Sequence, residues 1–240
     1  MAKKLKIKTT VVVGMMMGMS AAEAASPLCA SPEERQSIQT AFEVSPKSTP
    51  ALIGREIGIT EAAVVHGLPA EHRTPVPMAE FGALWQRLTE WDDALVIALS
   101  SDSVFEMFGP LPAGSADRGY FNFDEPDSSY GGHLKIERLA AIYLLSTDGR
   151  NGETHQIAFF DEEGRRVFSV YVPRDDKGAL KTQPHNQFLR LKRDYDALNG
   201  RSSIIETDCL WALVDSREVG GDEQRDEIGR TRRNRNETAI

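Results

Sequence analysis

Two neighbouring stretches hold the residue types best suited to chemistry in this chain. Gly119-Tyr120-Phe121-Asn122 is followed by Tyr130-Gly131-Gly132-His133-Leu134-Lys135, which sets a tyrosine and a histidine at the ends of one short loop. Phenolate oxygen and imidazole nitrogen are both axial ligands for haem iron. The adjacent glycines remove side chains where a flat macrocycle could approach the backbone. The plain alternative is a turn histidine with one satisfied hydrogen bond. Arg118, Lys135 and Arg138 flank the loop. In an extended segment Lys135 shares the face of His133 by period two. There it could pair with a propionate through a charge-assisted hydrogen bond, or stand simply as a solvated lysine.

Other chemistries find little support. His66 closes a short helix, where a cation is favourable; His72 lies in a proline-rich linker, His155 begins a strand and His185 begins the last helix. None has the local spacing of a zinc site, and His155 is the first candidate for a role after His133. The chain has no Gly-x-Ser-x-Gly, Walker or dinucleotide glycine pattern, so hydrolase, kinase and dehydrogenase readings lack a basis. It also lacks Cys-Pro and Cys-x-x-Cys-His elements, which speaks against thiolate ligation or covalent haem attachment. Arg174-Asp175 reads as an ion pair fixing a turn.

The elements that must position the loop can be read from punctuation and periodicity. Ser31-Pro32-Glu33-Glu34 is a helix start, with a serine cap, an early proline and acids that suit the dipole. Thr49-Pro50 opens a second helix with Leu52, Ile53 and Ile57 on one face, ending at Gly58. Thr60-Glu61 caps a third, which buries Val64 and Val65 and stops at Gly67. The helix–turn–helix outline lacks Arg or Lys on its last helix, so it reads as a packing unit rather than a DNA reader. Pro69, Pro75 and Pro77 mark a linker. Residues 79–89 follow as a helix with Phe81, Leu84, Trp85 and Leu88 as a core stripe.

From Ala94 the period changes to that of strands: 94–99, 103–108, 119–123, 133–145, 154–160 and 165–172. Asp161-Glu162-Glu163-Gly164 is a hairpin turn with glycine at a left-handed position. Six strands without intervening helices predict an antiparallel meander. A closing helix over 184–198 turns Phe188, Leu191 and Tyr195 to the sheet and Lys192-Arg193 outward. Beyond it, 204–214 is a short apolar patch, and the charged end from Asp215 reads as a solvated tail.

The 240 residues suit one domain with appendages, and 40% apolar residues can build a core. A net charge of −8 argues against non-specific nucleic-acid binding. Lysines at 3, 4, 6 and 8, an apolar stretch from Thr9 to Ala22 and Ala22-Glu23-Ala24 have the layout of a signal peptide; the other reading is translated upstream sequence. Cys29 and Cys209, the only cysteines, form no metal pattern, and a disulfide between them would require export.

One ordered set of residues goes further: Leu84-Trp85, Glu90-Trp91, Val104-Phe105-Glu106, Gly109 to Gly114, Gly119-Tyr120-Phe121-Asn122, Gly132-His133, Ile157 to Phe160, Gly164, Phe168, Val172, Arg174-Asp175 and Gln183 to Phe188. Over roughly residues 33–196 this resembles the haem-utilisation carrier family of the HutX/ChuX type, related to half-repeats of HemS/ChuS proteins. The resemblance implies an α+β fold: a large antiparallel sheet, a small N-terminal helical unit and a C-terminal helix. The expected organisation is an extension (1–30), a helical unit (31–68), a haem-binding sheet domain (78–199) and a tail (200–240). It implies a non-catalytic haem carrier, with haem b as bound cargo. The expected partners are a second copy in a homodimer and a haem-degrading or haem-accepting protein, with no nucleic acid and no membrane. The alternative is a haem-degrading or haem-reducing enzyme. His133 and Tyr120 fall on the family's iron-site positions, with Gly132, Lys135 and Arg118 around the cargo. Leu99 stands where some members carry histidine, which puts a bis-histidine site in doubt. The implied compartment is the cytoplasm, or the periplasm if residues 1–24 are a true signal. A sheet from one half-repeat leaves an open face, with Trp91, Phe105, Phe121 and Phe159 as candidates for core or interface.

Overall fold

The computed structural model describes residues 26–100, 103–123 and 131–201. Three helices open it: α1 (Pro32–Val44), α2 (Pro50–Ile57) and α3 (Glu61–Gly67). Each starts where the sequence offers a cap. Ser31 and Glu34 form a reciprocal capping box, and Thr49 and Thr60 accept from Leu52 and Ala63 N–H groups. Gly58 ends α2 in the left-handed region at φ 78°. Ile38, Phe42, Ile53, Val64 and Leu68 meet in a small core between the three helices. Leu52, expected on the inner face of α2, is 53% exposed.

The centre of the molecule is a six-stranded antiparallel sheet. Its strands are β1 (Arg73–Val76), β2 (Ala94–Ser100), β3 (Ser103–Gly109), β7 (Leu139–Gly149), β8 (Gly152–Asp161) and β9 (Arg166–Tyr171), in the order β1-β7-β8-β9-β2-β3. A second sheet is built from β4 (Ser115–Asp117), β5 (Tyr120–Phe123) and β6 (Gly132–Leu134), in that order. The predicted single meander is therefore two sheets. The run 133–145 is broken by a 3₁₀ turn at Ile136–Arg138, which lets the chain leave the small sheet before entering the large one. The proline linker is also corrected: residues 73–76 pair with β7 as an edge strand. Pro75 is tolerated there because an edge position requires no donor on its outer side, and its carbonyl accepts from Asn199.

Both faces of the central strands are buried, as their composition requires. Along β7, Ile142 and Leu144 point to the main core, while Tyr143 and Leu145 point the other way. The main core is covered by α4 (Phe81–Leu88), α5 (Thr182–Arg201) and β5. The opposite face of β7 and β8 is covered by Leu28, Cys29 and α3 residues Ala62 and Val65. Trp91, Phe121 and Phe159 are core residues, whereas Phe105 is 56% exposed. Lys192, expected outward, turns in to Thr74, 2.7 Å away, and to Asp196. Among the described residues, no helix is long and apolar enough to cross a membrane. Cys209, the 204–214 patch, the charged tail and the signal-like segment lie outside the described residues.

Candidate haem-binding site

The small sheet divides its residues by period two. On one face of β5, Phe121 packs edge-on against Phe81 and Trp85, with ring centroids at 5.2 and 5.8 Å. Leu134, opposite Phe121 on β6, joins the same core. The other face carries Tyr120 and Asn122 on β5 and His133 opposite Asn122 on β6. Gly114 lies against Phe121: an added Cβ would sit 2.3 Å from its ring, so only glycine fits there.

The connection Asp117-Arg118-Gly119-Tyr120 is a two-residue hairpin with φ 52° at Arg118 and 78° at Gly119. Positive φ at both central residues is the type I′ arrangement, whose twist matches the strands. Arg118 holds the less comfortable of these two positions. Gly132 sits at φ 147°, where a side chain would be strained. Thus two glycines and one arginine set the two strands that carry the donors.

Tyr120 and His133 are diagonal neighbours with ring centroids 6.3 Å apart and planes at 71°. Tyr120 is 42% exposed, and His133 is exposed as well. His133 Nδ1 lies 2.7 Å from Asn122 Oδ1. The Asn122 amide nitrogen faces the carbonyls of Ser115, Asp117 and Tyr120 at 3.3–3.5 Å. Those carbonyls can only accept, so the amide nitrogen points to them and its oxygen must accept from His133. This places a ring proton on Nδ1, so Nε2 is the nitrogen that the Asn122 contact leaves available. Metal-ligating histidines are oriented in this way by an outer hydrogen bond.

The cations are near but engaged. Lys135 donates to Glu137 at 2.6 Å, and this partner raises its pKa; the neighbouring Tyr120 adds a smaller upward effect. Arg118 reaches Asp117 at 3.4 Å with its side chain 90% exposed. Arg138 pairs with Glu162 at 3.5 Å. Leu99 lies on β2 opposite Val104.

Comparison with known proteins covers the part of the chain that carries this arrangement. The family profile described as haem utilisation ChuX/HutX matches residues 74–191, from the second residue of β1 through β9 to the first half of α5. Over those residues the chain is similar to the ChuX/HutX family. Its similarity to the intracellular heme transport protein HutX of Vibrio cholerae serotype O1 is 29% identity over 161 residues, 67% of this chain and 83% of that protein. The solved structure of the heme binding protein ChuX superposes with a TM-score of 0.60 and 28% identity, over 66% of this chain and 98% of that one. Holo-PhuS, a heme-binding protein from Pseudomonas aeruginosa, shares the fold at a TM-score of 0.56 and 14% identity. It matches 69% of this chain and 49% of its own. The family match begins at Thr74, so α1 to α3 lie outside it.

Sequence reasoning singled out Tyr120 and His133 but passed over Asn122, which hydrogen-bonds His133. Its signal was the cross-strand register, which no spacing reveals. It also misjudged other polar residues. His66, expected as a helix-end cation, is fully buried; Nδ1 accepts from Ala30 N–H at 3.0 Å. Burial first, and then Arg35 and Arg73, push its pKa down to about 3. Arg174 does not pair with Asp175 but donates to the Gly178 and Glu153 carbonyls at 2.8 and 2.5 Å.

Proposed function

We propose that this protein is a haem carrier, taking up one haem on the exposed face of the small sheet and handing it to a downstream acceptor. The observation that supports this best is the pairing of Tyr120 and His133 on one open face, with the His133 proton held on Nδ1 by Asn122. The two side chains stand side by side on one sheet face rather than facing each other across a gap. They therefore suit one protein ligand to iron at a time: His133 through Nε2 in one state, Tyr120 through its phenolate oxygen in another. Gly132 gives the macrocycle close access, and Lys135 and Arg118 are the propionate partners in this reading. Each would exchange an exposed carboxylate partner for the cargo, a swap of small cost because surface ion pairs contribute about 0–1 kcal/mol.

An open face also fits the task. A carrier must let its acceptor approach the bound cargo, whereas an oxygen-activating enzyme gains from excluding water. The enzyme reading remains the runner-up and is tested by supplying ascorbate or a reductase: release of iron with a bilin would replace the carrier. The cargo we assign is haem b. The assembly we assign is a twofold dimer over the uncovered side of β2–β3, where Val104 and Phe108 are 60% and 62% exposed on an edge strand. We place the protein in the cytoplasm, as for the Vibrio relative's named intracellular role. An intact mass starting near Ala25 with Cys29 oxidised would move it to the periplasm.

The decisive experiment is titration of the haem-free protein with haem, followed at the Soret band. A saturable one-to-one change is expected. His133→Ala and Tyr120→Phe should each alter the spectrum, and the double variant should lose the site. An unchanged spectrum and affinity in both single variants would overturn the assignment.

A further inference from the structure

The molecule holds a second cluster of metal-ligating side chains, away from the small sheet and joined across two elements. Glu153 and His155 lie two residues apart on β8 and so share one face. His185, in the first turn of α5, stacks on His155 with ring centroids 4.7 Å apart and planes at 22°. The ligand atoms of all three lie within 4.8 Å of one another.

His155 is the anchor. Its side chain is 1% exposed and wedged against Phe188, with ring centroids at 4.7 Å. Nδ1 meets Ser146 Oγ at 3.0 Å, while the buried Nε2 has no hydrogen-bond partner and lies 3.5 Å from Glu153 Oε1. A buried imidazole nitrogen without a partner is costly. Nε2 of His155 faces a carboxylate and a second imidazole without a hydrogen bond to either.

We propose that Glu153, His155 and His185 bind one divalent transition-metal ion of the zinc class, with Nε2 of His155 as its fixed ligand. Two imidazoles and one carboxylate with an open fourth position is a recognised zinc donor set. With Zn–N and Zn–O bonds of about 2.0–2.2 Å, tetrahedral ligand atoms sit roughly 3.3 Å apart. His185 and Glu153, both less buried than His155, would close by about 1 Å to reach this. Ser146 supplies the outer contact that holds a ligating histidine in orientation, accepting from Nδ1–H once Nε2 is metallated. Arg174 and Lys192, which also face this cluster, oppose the added charge, and Glu153 offsets part of it. The ion would tie β8 to the start of α5 without displacing a hydrogen bond of either element.

The test is calorimetric titration of the full-length, haem-free, metal-stripped protein with zinc chloride, alongside thermal melting. Wild type and His133→Ala should each bind one zinc per chain and melt at higher temperature with it. His185→Ala, a change at a half-buried position, should lose at least tenfold in affinity, since disturbing even an outer contact of a metal ligand costs about 10–100-fold. It should also lose the zinc-dependent rise in melting temperature. Glu153→Gln should weaken zinc binding while keeping the fold. No binding by wild type up to millimolar zinc, or equal binding by wild type and His185→Ala, would overturn the site. The haem titration of His185→Ala should match wild type, so this test stands apart from the haem reading.

Discussion

Asn122→Leu is the sharpest probe of the haem-site reasoning, because it leaves both proposed iron donors in place. It removes the 2.7 Å acceptor of His133 and the three longer amide contacts to the Ser115, Asp117 and Tyr120 carbonyls. The face is exposed, so water replaces those contacts and the fold should lose no more than about 1 kcal/mol. Haem affinity should change more. Without Oδ1 the ring can rotate and carry its proton on either nitrogen. Outer partners of metal-ligating histidines are worth about 10–100-fold in affinity, and exposure places this one near the lower end. The expectation is roughly tenfold weaker haem, about 1.4 kcal/mol, with a melting temperature close to wild type. Asn122→Asp keeps an acceptor at Oδ1 and should retain or strengthen binding. The assay is the Soret titration, with the ferric spectrum recorded in both variants. If Asn122→Leu binds haem like wild type while His133→Ala does not, the hydrogen bond has no part in preparing the ligand. If neither alters binding, His133 is not the donor.

Three further predictions concern the scaffold. The His66 pKa is lowered in the fold to about 3 from 6.5, so its neutral form is the stabilising one. That stability is complete above pH about 6.5 and is lost as pH falls toward 3, because the unfolded chain takes the proton first. Unfolding free energies from denaturant titrations at pH 7 to 4 should fall, by roughly 2–4 kcal/mol at most from this residue. His66→Gln should flatten that slope, and an equal slope in both proteins would refute it. Gly164 sits at φ 73°, and an added Cβ would come 2.1 Å from the Pro27 carbonyl oxygen; Gly164→Ala should cost about 1–3 kcal/mol in urea unfolding. Phe108→Lys places a charge on the uncovered side of β3 and should halve the mass seen by light scattering without lowering the melting temperature by more than a few degrees. An unaltered dimer would move the interface elsewhere.

Local signals were legible in the sequence wherever a few adjacent residues decide the outcome. The serine cap at Ser31, the helix stop at Gly58, the Asp161–Gly164 hairpin and the apolar stripe of α4 all appear where their spacing places them. That Tyr120 and His133 lie close together was legible for the same reason, since one short connection brings them together. Features fixed by tertiary partners were not. Pro75 reads as a linker residue until Asn199 and β7 claim its strand. Lys192 reads as outward because the pull of Thr74 and Asp196 comes from outside the helix turn. His66 reads as a cation because helix position is local and burial is not. Glu153, His155 and His185 lack any metal spacing in the sequence, since the contact between β8 and α5 that gathers them is long-range.

The alternation along β5 explains how so small a sheet can carry a site at all. A three-stranded sheet of three- and four-residue strands has little stability of its own. Phe121, 6% exposed, anchors it to Phe81 and Trp85, so the register of Tyr120, Asn122 and His133 is inherited from the main core. A slip of one residue would turn Phe121 to solvent and Tyr120 inward, at a cost of several kcal/mol for unburying an aromatic ring. The donors can therefore stay exposed, as a carrier needs, and still be held in place. Phe121→Ala separates these roles: it should lower stability by about 3–5 kcal/mol and weaken haem binding while leaving both donors intact. Unchanged haem affinity in a folded Phe121→Ala protein would mean that the face is ordered by something other than the core beneath it.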